Sequence, residues 1–500
     1  MTNASPNTPQ TYLLHLGGQQ VPATGDRTFL SVDPTTGSPW ATFSDATRED
    51  VERAVETAAA AFSDPAWRGL SATKRGRLLM RFGDLVRENA ERLGELETRQ
   101  NGKLLREMVG QLNNVPEWLY YFGGLADKVE GAVIPVDRRE ALNFTQPEPL
   151  GVVGVVTPWN SPMLLTMMQV APALAAGNTV VIKPSEFTSA SLLEAAALAE
   201  EAGIPAGVMN VITGGREAGE ALVAHPDVAK VSFTGGTETG RAIASTVAGR
   251  LGHYTLELGG KSPNIVFADA DLAAAEAGVF AGIFAAGGQT CVAGSRLLVE
   301  RSIHDEFVGR LVERAKTITI GDPNLAETQL GPVSTAPQLE KVATMVDQAK
   351  SDGAEVLAGG QKATVAGFED GLFYEPTILA GLGNESALCQ NEIFGPVLAV
   401  LPFEGEEEAV RIANDSRYGL AAGVWTQNLK RAHRTAQALQ AGTVWVNLYR
   451  VMTYNSPFGG YKESGIGRSN GIEAIRNFLQ TKSIWIDLGD EIQDPFVLKL

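Results

Sequence analysis

The sequence predicts an α/β protein built on largely parallel sheets. Three observations carry that prediction. From Leu150 onward, short apolar runs alternate with helical patterns, and such alternation implies right-handed βαβ crossovers. A chain of 500 residues is long enough for several domains or one large multi-layer unit. Its 44% hydrophobic and 20% charged residues are those of an ordinary globular protein.

Composition also excludes partners. A net charge of −17 repels the phosphates of nucleic acid. No uninterrupted apolar run reaches the ~18 residues that cross a membrane. Two cysteines in the whole chain speak against a disulfide-stapled secreted protein and for a reducing, cytoplasmic compartment. The polar stretch Met1 to Pro9 has no apolar core and is neither a signal peptide nor an anchor.

Residues 1–10 are expected to be disordered. From Asp50 to Asn101 the pattern is helical, with Val51, Ala54, Val55, Ala58 and Ala59, then Leu78, Phe82, Leu85 and Val86, at helical spacing. Gly131 to Glu148 reads as a β-hairpin around the polar turn Asp137-Arg138-Arg139, projecting between two larger blocks. Strands are expected over 151–156, 179–183, 208–212 and 229–234, with helices over 167–176 and 189–202. A second α/β stretch spans 261–460, with strands at 264–267, 296–299, 397–400 and 443–447. The tail Ser483-Ile484-Trp485-Ile486 is a short strand suited to pair with the hairpin of another subunit.

Cys291 sits among small and polar residues in Gly287-Gly288-Gln289-Thr290-Cys291-Val292-Ala293-Gly294, where little would bury a thiol. Structural cysteines are usually buried and inert, so this setting points to a reactive thiolate, with an unremarkable loop cysteine as the alternative. Cys389 reads as structural. No CxxC spacing supports a metal site or a redox dithiol.

Four further segments carry chemistry. Gly235-Gly236-Thr237-Glu238-Thr239-Gly240 leads a strand into a helix, whose free N–H groups suit an anion, although many glycine turns bind nothing. Lys183-Pro184-Ser185-Glu186 ends a parallel strand, where ligands of open sheets bind; it is either a ribose site or a surface ion pair. Glu257, between Leu256 and Leu258, is either a general base shifted towards neutrality or half of a buried salt bridge. Asn160, in Thr157-Pro158-Trp159-Asn160-Ser161-Pro162, is either an oxyanion donor or a turn cap.

Together with Gly288-Gln289-Thr290-Cys291, Glu392-Ile393-Phe394-Gly395-Pro396 and Pro457-Phe458-Gly459-Gly460-Tyr461-Lys462, these segments resemble the NAD(P)-dependent aldehyde dehydrogenase superfamily, in order and over nearly the whole chain. The resemblance implies a Rossmann-like NAD-binding domain over 1–130 and 149–259. It also implies an α/β catalytic domain over 260–465 and an oligomerisation element from 131–148 and 479–490, in a homodimer or homotetramer. Cys291 matches the nucleophile, Glu257 the base that activates water, and Asn160 the oxyanion donor. Lys183, Ser185 and Glu186 match ribose contacts. Gly215, Thr234, Gly235 and Gly236 match the pyrophosphate and adenine surroundings. Trp159, Glu392 and Phe394 match the nicotinamide side, and Thr157 and Leu258 join the cofactor contacts. Gly236 departs from the serine common at its position, which removes a hydroxyl but keeps the backbone N–H.

The cofactor implied is NAD, with NADP also used by some members that carry this glutamate. A 2′-phosphate near Glu186 meets a repulsion of about 4 kcal/mol at roughly 4 Å and an effective dielectric of about 20. The aldehyde tunnel would be lined by Ser161, Leu165, Met168, Thr290, Val292, Arg450, Met452 and Phe458, with Arg450 near its mouth. Arg450 either attracts a semialdehyde or oxygen-rich substrate or forms a surface salt bridge. Ser161 stands where many members carry an aromatic ring, so the tunnel reads as poor in rings and unsuited to a trimethylammonium aldehyde. A CoA-acylating relative would usually lack Glu257. A non-catalytic protein on the same fold would have no need of Cys291, Glu257 and Asn160 together.

Overall fold

The computed structural model describes residues 10–490 together with Phe496. The expected disorder of residues 1–10 lies outside the described residues except for Gln10, which opens the strand Gln10–Tyr12. Two large sheets organise the chain. The first is eight-stranded, with a parallel centre in the order His253–Glu257, Val228–Thr234, Val152–Val156, Thr179–Lys183 and Met209–Val211. Leu14–Leu16 and Gln19–Val21 extend one edge, and Gly465–Ile466 pairs antiparallel with Leu256 and Glu257 at the other.

These central strands read as unbroken apolar runs because helices cover both faces. Alternate side chains sort into two cores. Val152, Val181 and Val231 pack with Val51, Ala54, Leu222 and Ile243. Val153, Val155, Val180 and Ile182 pack with Leu79, Phe82, Val170 and Leu174. The helical stretch expected over 50–101 is four helices, Arg48–Ser63, Pro65–Arg68, Ala72–Glu88 and Ala90–Asn101. The first starts at a reciprocal cap between Thr47 and Asp50. The second starts on the Asp64 side chain with Pro65 as its first residue.

The second sheet is seven-stranded. Its order is Glu355–Ala358, Thr377–Ala380, Val397–Phe403, Arg296–Glu300, Pro263–Val266, Ala421–Trp425 and Thr443–Val446, and only the first strand is antiparallel. Sequence reading missed the strands at 253–257, 377–380 and 421–425. The first begins on exposed, polar residues and becomes buried only at its carboxyl end, so it shows no continuous apolar run.

The hairpin is present, with Val133–Ile134 against Ala141–Pro149. The expectation for the tail is corrected. Leu479–Asp487 is a nine-residue strand, and it pairs antiparallel with Ala141–Pro149 of its own chain. Period-two alternation predicts a strand but not its partner, and the 3-10 turn Ile472–Phe478 delivers the tail to its own hairpin. Cys389 is fully buried, in the core of the second sheet. Among the described residues no helix is long and apolar enough to cross a membrane.

Asn178 ties the first sheet to the three-stranded one. Its Oδ1 accepts from the Gly151 N–H at 3.0 Å, and its Nδ2 donates to the carbonyls of Ala173 at 3.0 Å and Phe478 at 2.9 Å. All of this is buried. Asn178→Ala leaves the buried Gly151 N–H without a partner and takes one of the bonds from each of the two carbonyls, and is expected to cost about 2 kcal/mol, read as a lower urea midpoint with an unchanged slope.

Candidate active site

The carboxyl ends of the first sheet's strands carry the candidate residues, as expected of an open parallel sheet. Val152–Val156 runs into Thr157, whose N–H donates to the Lys183 carbonyl at 3.2 Å. The turn then presents Trp159 and buried Asn160 before Pro162 opens the helix Pro162–Ala176. Asn160 Nδ2 donates to the Gln289 carbonyl at 3.1 Å, two residues before Cys291. An amide nitrogen carries two hydrogens, so one remains for a ligand.

Cys291 follows a 3-10 turn, Ala285–Gly288, in which Ala286, Gly287 and Gly288 all have positive φ. A side chain at Gly288 would strike the Gly395 carbonyl, 2.1 Å from the position of its Cβ. The thiol is partly buried. Burial, then the carboxylates of Glu392 and Glu257, push it up to about 12, against the backbone N–H groups of Cys291 and Val292. The resting thiol is therefore protonated, and its ionisation needs a base.

Glu257 ends its strand and is buried. Burial raises its carboxyl to about 8, opposed by a hydrogen bond from Ser469 and by the charge of Arg468. Ser469 Oγ donates to Glu257 Oε1 at 3.0 Å and accepts from Gln169 Nε2 at 2.8 Å. Gln169 Oε1 accepts from Ser232 Oγ at 2.7 Å, and Thr255 Oγ1 lies 3.0 Å further on. Glu257 Oε2 has no protein partner, so half of the carboxylate is free to act.

A cleft of about 160 Å³ collects eleven predicted residues: Trp159, Asn160, Leu165, Thr234, Gly235, Gly236, Glu257, Leu258, Cys291, Glu392 and Phe394. Trp159 and Phe394 meet edge to face with centroids 5.2 Å apart, and Phe394 holds a left-handed φ of 61°. Glu392 Oε1 accepts from the Gly260 N–H at 3.1 Å. The cleft adjoins a larger one of about 420 Å³, which shares Gly236, Lys341 and Glu392 with it. Thr157, Lys183, Ser185, Glu186 and Gly215 lie outside the smaller cleft. Buried Lys183 pairs with Glu186 at 3.6 Å, and Ser185 Oγ is 3.4 Å from the same carboxylate.

The remaining substrate residues are on another side. Leu165, Met168 and Phe458 belong to an apolar cluster against which Cys291, Val292 and Met452 pack. Thr290 Oγ1 is buried without a partner. Ser161 Oγ donates to the Asn160 carbonyl at 2.8 Å. Among the described residues Arg450 has no salt-bridge partner; it is partly buried and donates to the Ala281 carbonyl at 2.9 Å. Trp118, Tyr121 and Tyr454 pack together in this same cluster, with Tyr454 5.2 Å from Tyr121 and 6.1 Å from Trp118.

Sequence reasoning missed Ser469, Gln169, Ser232, Gln338 and Lys341. None lies in a pattern that marks chemistry. Only Ser469 had a signal within reach, since it closes the glycine-rich run that begins at Gly459.

A model described as the aldehyde dehydrogenase family matches residues 21–484. The chain belongs to that family. This aldehyde dehydrogenase is 47% identical over 493 residues to the (Z)-2-((N-methylformamido)methylene)-5-hydroxybutyrolactone dehydrogenase of Acinetobacter baylyi, covering 98% of this chain and 100% of that one. An NAD+ complex of aldehyde dehydrogenase from Bacillus cereus superposes with a TM-score of 0.94 at 42% identity, over 96% of this chain and 97% of that one. Betaine aldehyde dehydrogenase of Staphylococcus aureus, in complex with NAD+, superposes with a TM-score of 0.96 at 38% identity, over 97% of each chain.

Two glycines make the convergence in this aldehyde dehydrogenase feasible. A Cβ at Gly259 would lie 2.5 Å from Glu392 Oε2, and one at Gly260 would lie 2.5 Å from the Cys291 carbonyl oxygen. Gly260→Ala must displace backbone rather than a flexible side chain. It is expected to lower aldehyde-dependent activity at least ~100-fold while the protein still folds, checked by steady-state kinetics beside circular dichroism.

Proposed function

We propose that the enzyme oxidises an aldehyde to the carboxylate with NAD, using Cys291 as nucleophile, Glu257 as base and Asn160 as oxyanion donor. The observation that carries this reading is the convergence of these three side chains on one cleft, with the thiol neutral and one carboxylate oxygen unpartnered. The fit of the dinucleotide rests on space and charge. A Cβ at Gly215 or Gly236 would meet nothing within 4 Å, and Gly236 caps the helix Thr237–Gly249 with free N–H groups towards a phosphate. Lys183 and Glu186 would hold a ribose, and Glu392, Phe394 and Trp159 the nicotinamide side. Glu186 favours NAD over NADP.

Glu257 takes the thiol proton, and the Cys291 sulfur bonds to the aldehyde carbon. Asn160 Nδ2 and the Cys291 N–H hold the oxygen of the thiohemiacetal. Bound NAD supplies the hydride acceptor through which that adduct becomes a thioester. Glu257 passes the thiol proton to solvent and, ionised again, removes a proton from water, whose oxygen adds to the thioester carbon. The C–S bond breaks, the acid proton returns to the Cys291 sulfur, and the product leaves as the carboxylate.

The Acinetobacter relative is named for a hydroxybutyrolactone, and the proposed substrate is likewise a semialdehyde or another oxygen-rich aldehyde. The proposed domain division assigns 1–130 and 149–259 to NAD, 260–465 to catalysis, and 131–148 with 479–490 to assembly. Val133, Ile134, Trp485 and Ile486 are exposed on the three-stranded sheet, which supports a homodimer or homotetramer joined there. Two unpaired cysteines support a cytoplasmic location.

In an NADH absorbance assay over an aldehyde panel, wild type is expected to turn over and Cys291→Ala to form no NADH. Residual turnover in Cys291→Ala would remove the cysteine from the chemistry. Glu257→Gln is expected to slow NADH formation at least ~100-fold without a burst, because thiol ionisation and thioester hydrolysis both lose their base. Activity should rise with pH through about 8, because Glu257 must be ionised. Ser469→Ala removes a hydrogen bond that favours the carboxylate, so the rising limb of the pH profile should move to higher pH.

A further inference from the structure

Two of the turns that carry site residues run into helices that their own N-cap side chains do not cap. Pro162–Ala176 follows the turn with Asn160, and Ala190–Glu201 follows the turn with Lys183, Ser185 and Glu186. A serine stands at each N-cap, Ser161 and Ser189, and neither side chain bonds to its helix. Both hydroxyls point back into the turn instead. Ser161 Oγ donates to the Asn160 carbonyl at 2.8 Å, and Ser189 Oγ to the Ser185 carbonyl at 2.9 Å. The first N–H groups of a buried helix need acceptors, and here these come from elsewhere.

The helix Ala90–Asn101 supplies them. Glu97 and Gln100 are buried and stand one turn apart on one face of it. Glu97 Oε1 accepts from the Met163 N–H at 2.9 Å and from Ser191 Oγ at 2.9 Å, so one oxygen ties both helices. Gln100 Oε1 accepts from the Ala190 N–H at 2.9 Å, and its Nε2 donates to Ser31 Oγ at 3.4 Å. Glu97 Oε2 has no hydrogen-bond partner among the described residues, so the hydrogen bonding of this carboxyl goes to the two helices. The same helix reaches Asn160 by a second route. The Asn101 carbonyl accepts from Ser334 Oγ, and the Ser334 N–H donates to Gln289 Oε1 at 2.9 Å. The Gln289 carbonyl is the acceptor that holds Asn160 Nδ2.

A cap from the same chain segment closes a helix and nothing more. A cap from another helix also fixes where the capped helix begins. Burial raises Glu97 to about 7, against the Met163 N–H, the Ser191 hydroxyl and the charge of Lys103. Protonated or ionised, the carboxyl keeps an oxygen that accepts, so its reach matters more than its charge. Neither Glu97 nor Gln100 lines the cleft, so each acts through the turn it holds.

We infer that the helix Ala90–Asn101 positions the site, with Glu97 setting the oxyanion turn at Asn160 and Gln100 setting the ribose turn at 183–186. The inference rests on the proposed roles of Asn160, Lys183 and Glu186. The competing role for both residues is to stabilise the fold without affecting the site.

The test is steady-state kinetics with the best aldehyde of the panel, beside thermal unfolding and isothermal titration with NAD. Glu97→Ala is expected to lower kcat about 30-fold, as a misplaced oxyanion donor would, with KM for NAD changed by less than about threefold. Glu97→Gln keeps an acceptor at the same reach and should bring kcat back to within about threefold of wild type. Glu97→Asp keeps the charge but is one methylene shorter, and should stay about tenfold low. Gln100→Leu is expected to weaken NAD binding about tenfold, the size of one lost hydrogen bond, with kcat nearly unchanged. Asn178→Ala is the control, because it loosens the other end of the helix Pro162–Ala176. It should lower the unfolding temperature and leave kcat within about threefold of wild type. An equal loss of kcat in Asn178→Ala and Glu97→Ala, wild-type kcat in Glu97→Asp, or wild-type NAD affinity in Gln100→Leu would overturn the positioning role. Where Glu97→Ala does not fold, the Gln and Asp variants decide. If wild type makes no NADH from any aldehyde, the proposed reaction fails instead, and the titration of Gln100→Leu with NAD still decides whether this helix holds the ribose turn.

Discussion

The active site depends on a close approach of backbone that only two adjacent residues without side chains allow. Glu257 ends a strand of the first sheet, and Gly259 and Gly260 follow it at once. Through them the Cys291 loop and the Glu392 carboxylate come within 3 Å of where a Cβ would stand. Three segments separated by more than thirty residues of chain thereby share one cleft. The segment 457–470 closes it from the other side. Ser464 accepts from the Leu258 N–H at 2.9 Å, and Phe458 and Ser469 exchange backbone hydrogen bonds at 2.7 Å, which holds the Ser469 hydroxyl against Glu257.

Crowding has an electrostatic consequence. Glu257, Glu392 and Cys291 are acids brought together out of water, so burial favours the neutral form of each, and the two carboxyls push the thiol up further. Their positions are held by neutral hydrogen bonds, from Ser469, from the Gly260 N–H and through Asn160, rather than by ion pairs. Such a site rests protonated and becomes nucleophilic as a proton leaves through Glu257. Among the described residues, cations lie close by without pairing, Arg468 near Glu257 and Lys341 and Lys261 near Glu392, and they oppose the effect of burial. Lys183 lies away from the smaller cleft, paired with Glu186.

Much of this was legible because it is local. Small residues around Cys291 reported an uncrowded thiol, and apolar neighbours of Glu257 reported a buried carboxylate. Unbroken Val and Ile runs reported strands covered on both faces. Ser469, Gln169 and Ser232 were not legible, because a relay across three distant segments leaves no spacing in the chain. Arg450 could be placed but not interpreted. Its residue type fits a surface ion pair as well as a tunnel wall, and only its burial and its hydrogen bond to the Ala281 carbonyl speak against the ion pair.

By itself the sequence determined the α/β class, the order of the parallel strands along the chain and the side chains able to do chemistry. Those follow from periodicity and residue type, which act over a few residues. Tertiary structure decided which of those groups meet, which charges stay unpaired and what the tail strand pairs with. The tail shows why. Its alternating pattern is satisfied by any open edge, and the hairpin of its own chain supplies one along all nine residues. Partner choice is set by where the chain has already been carried, and that information is not in the strand.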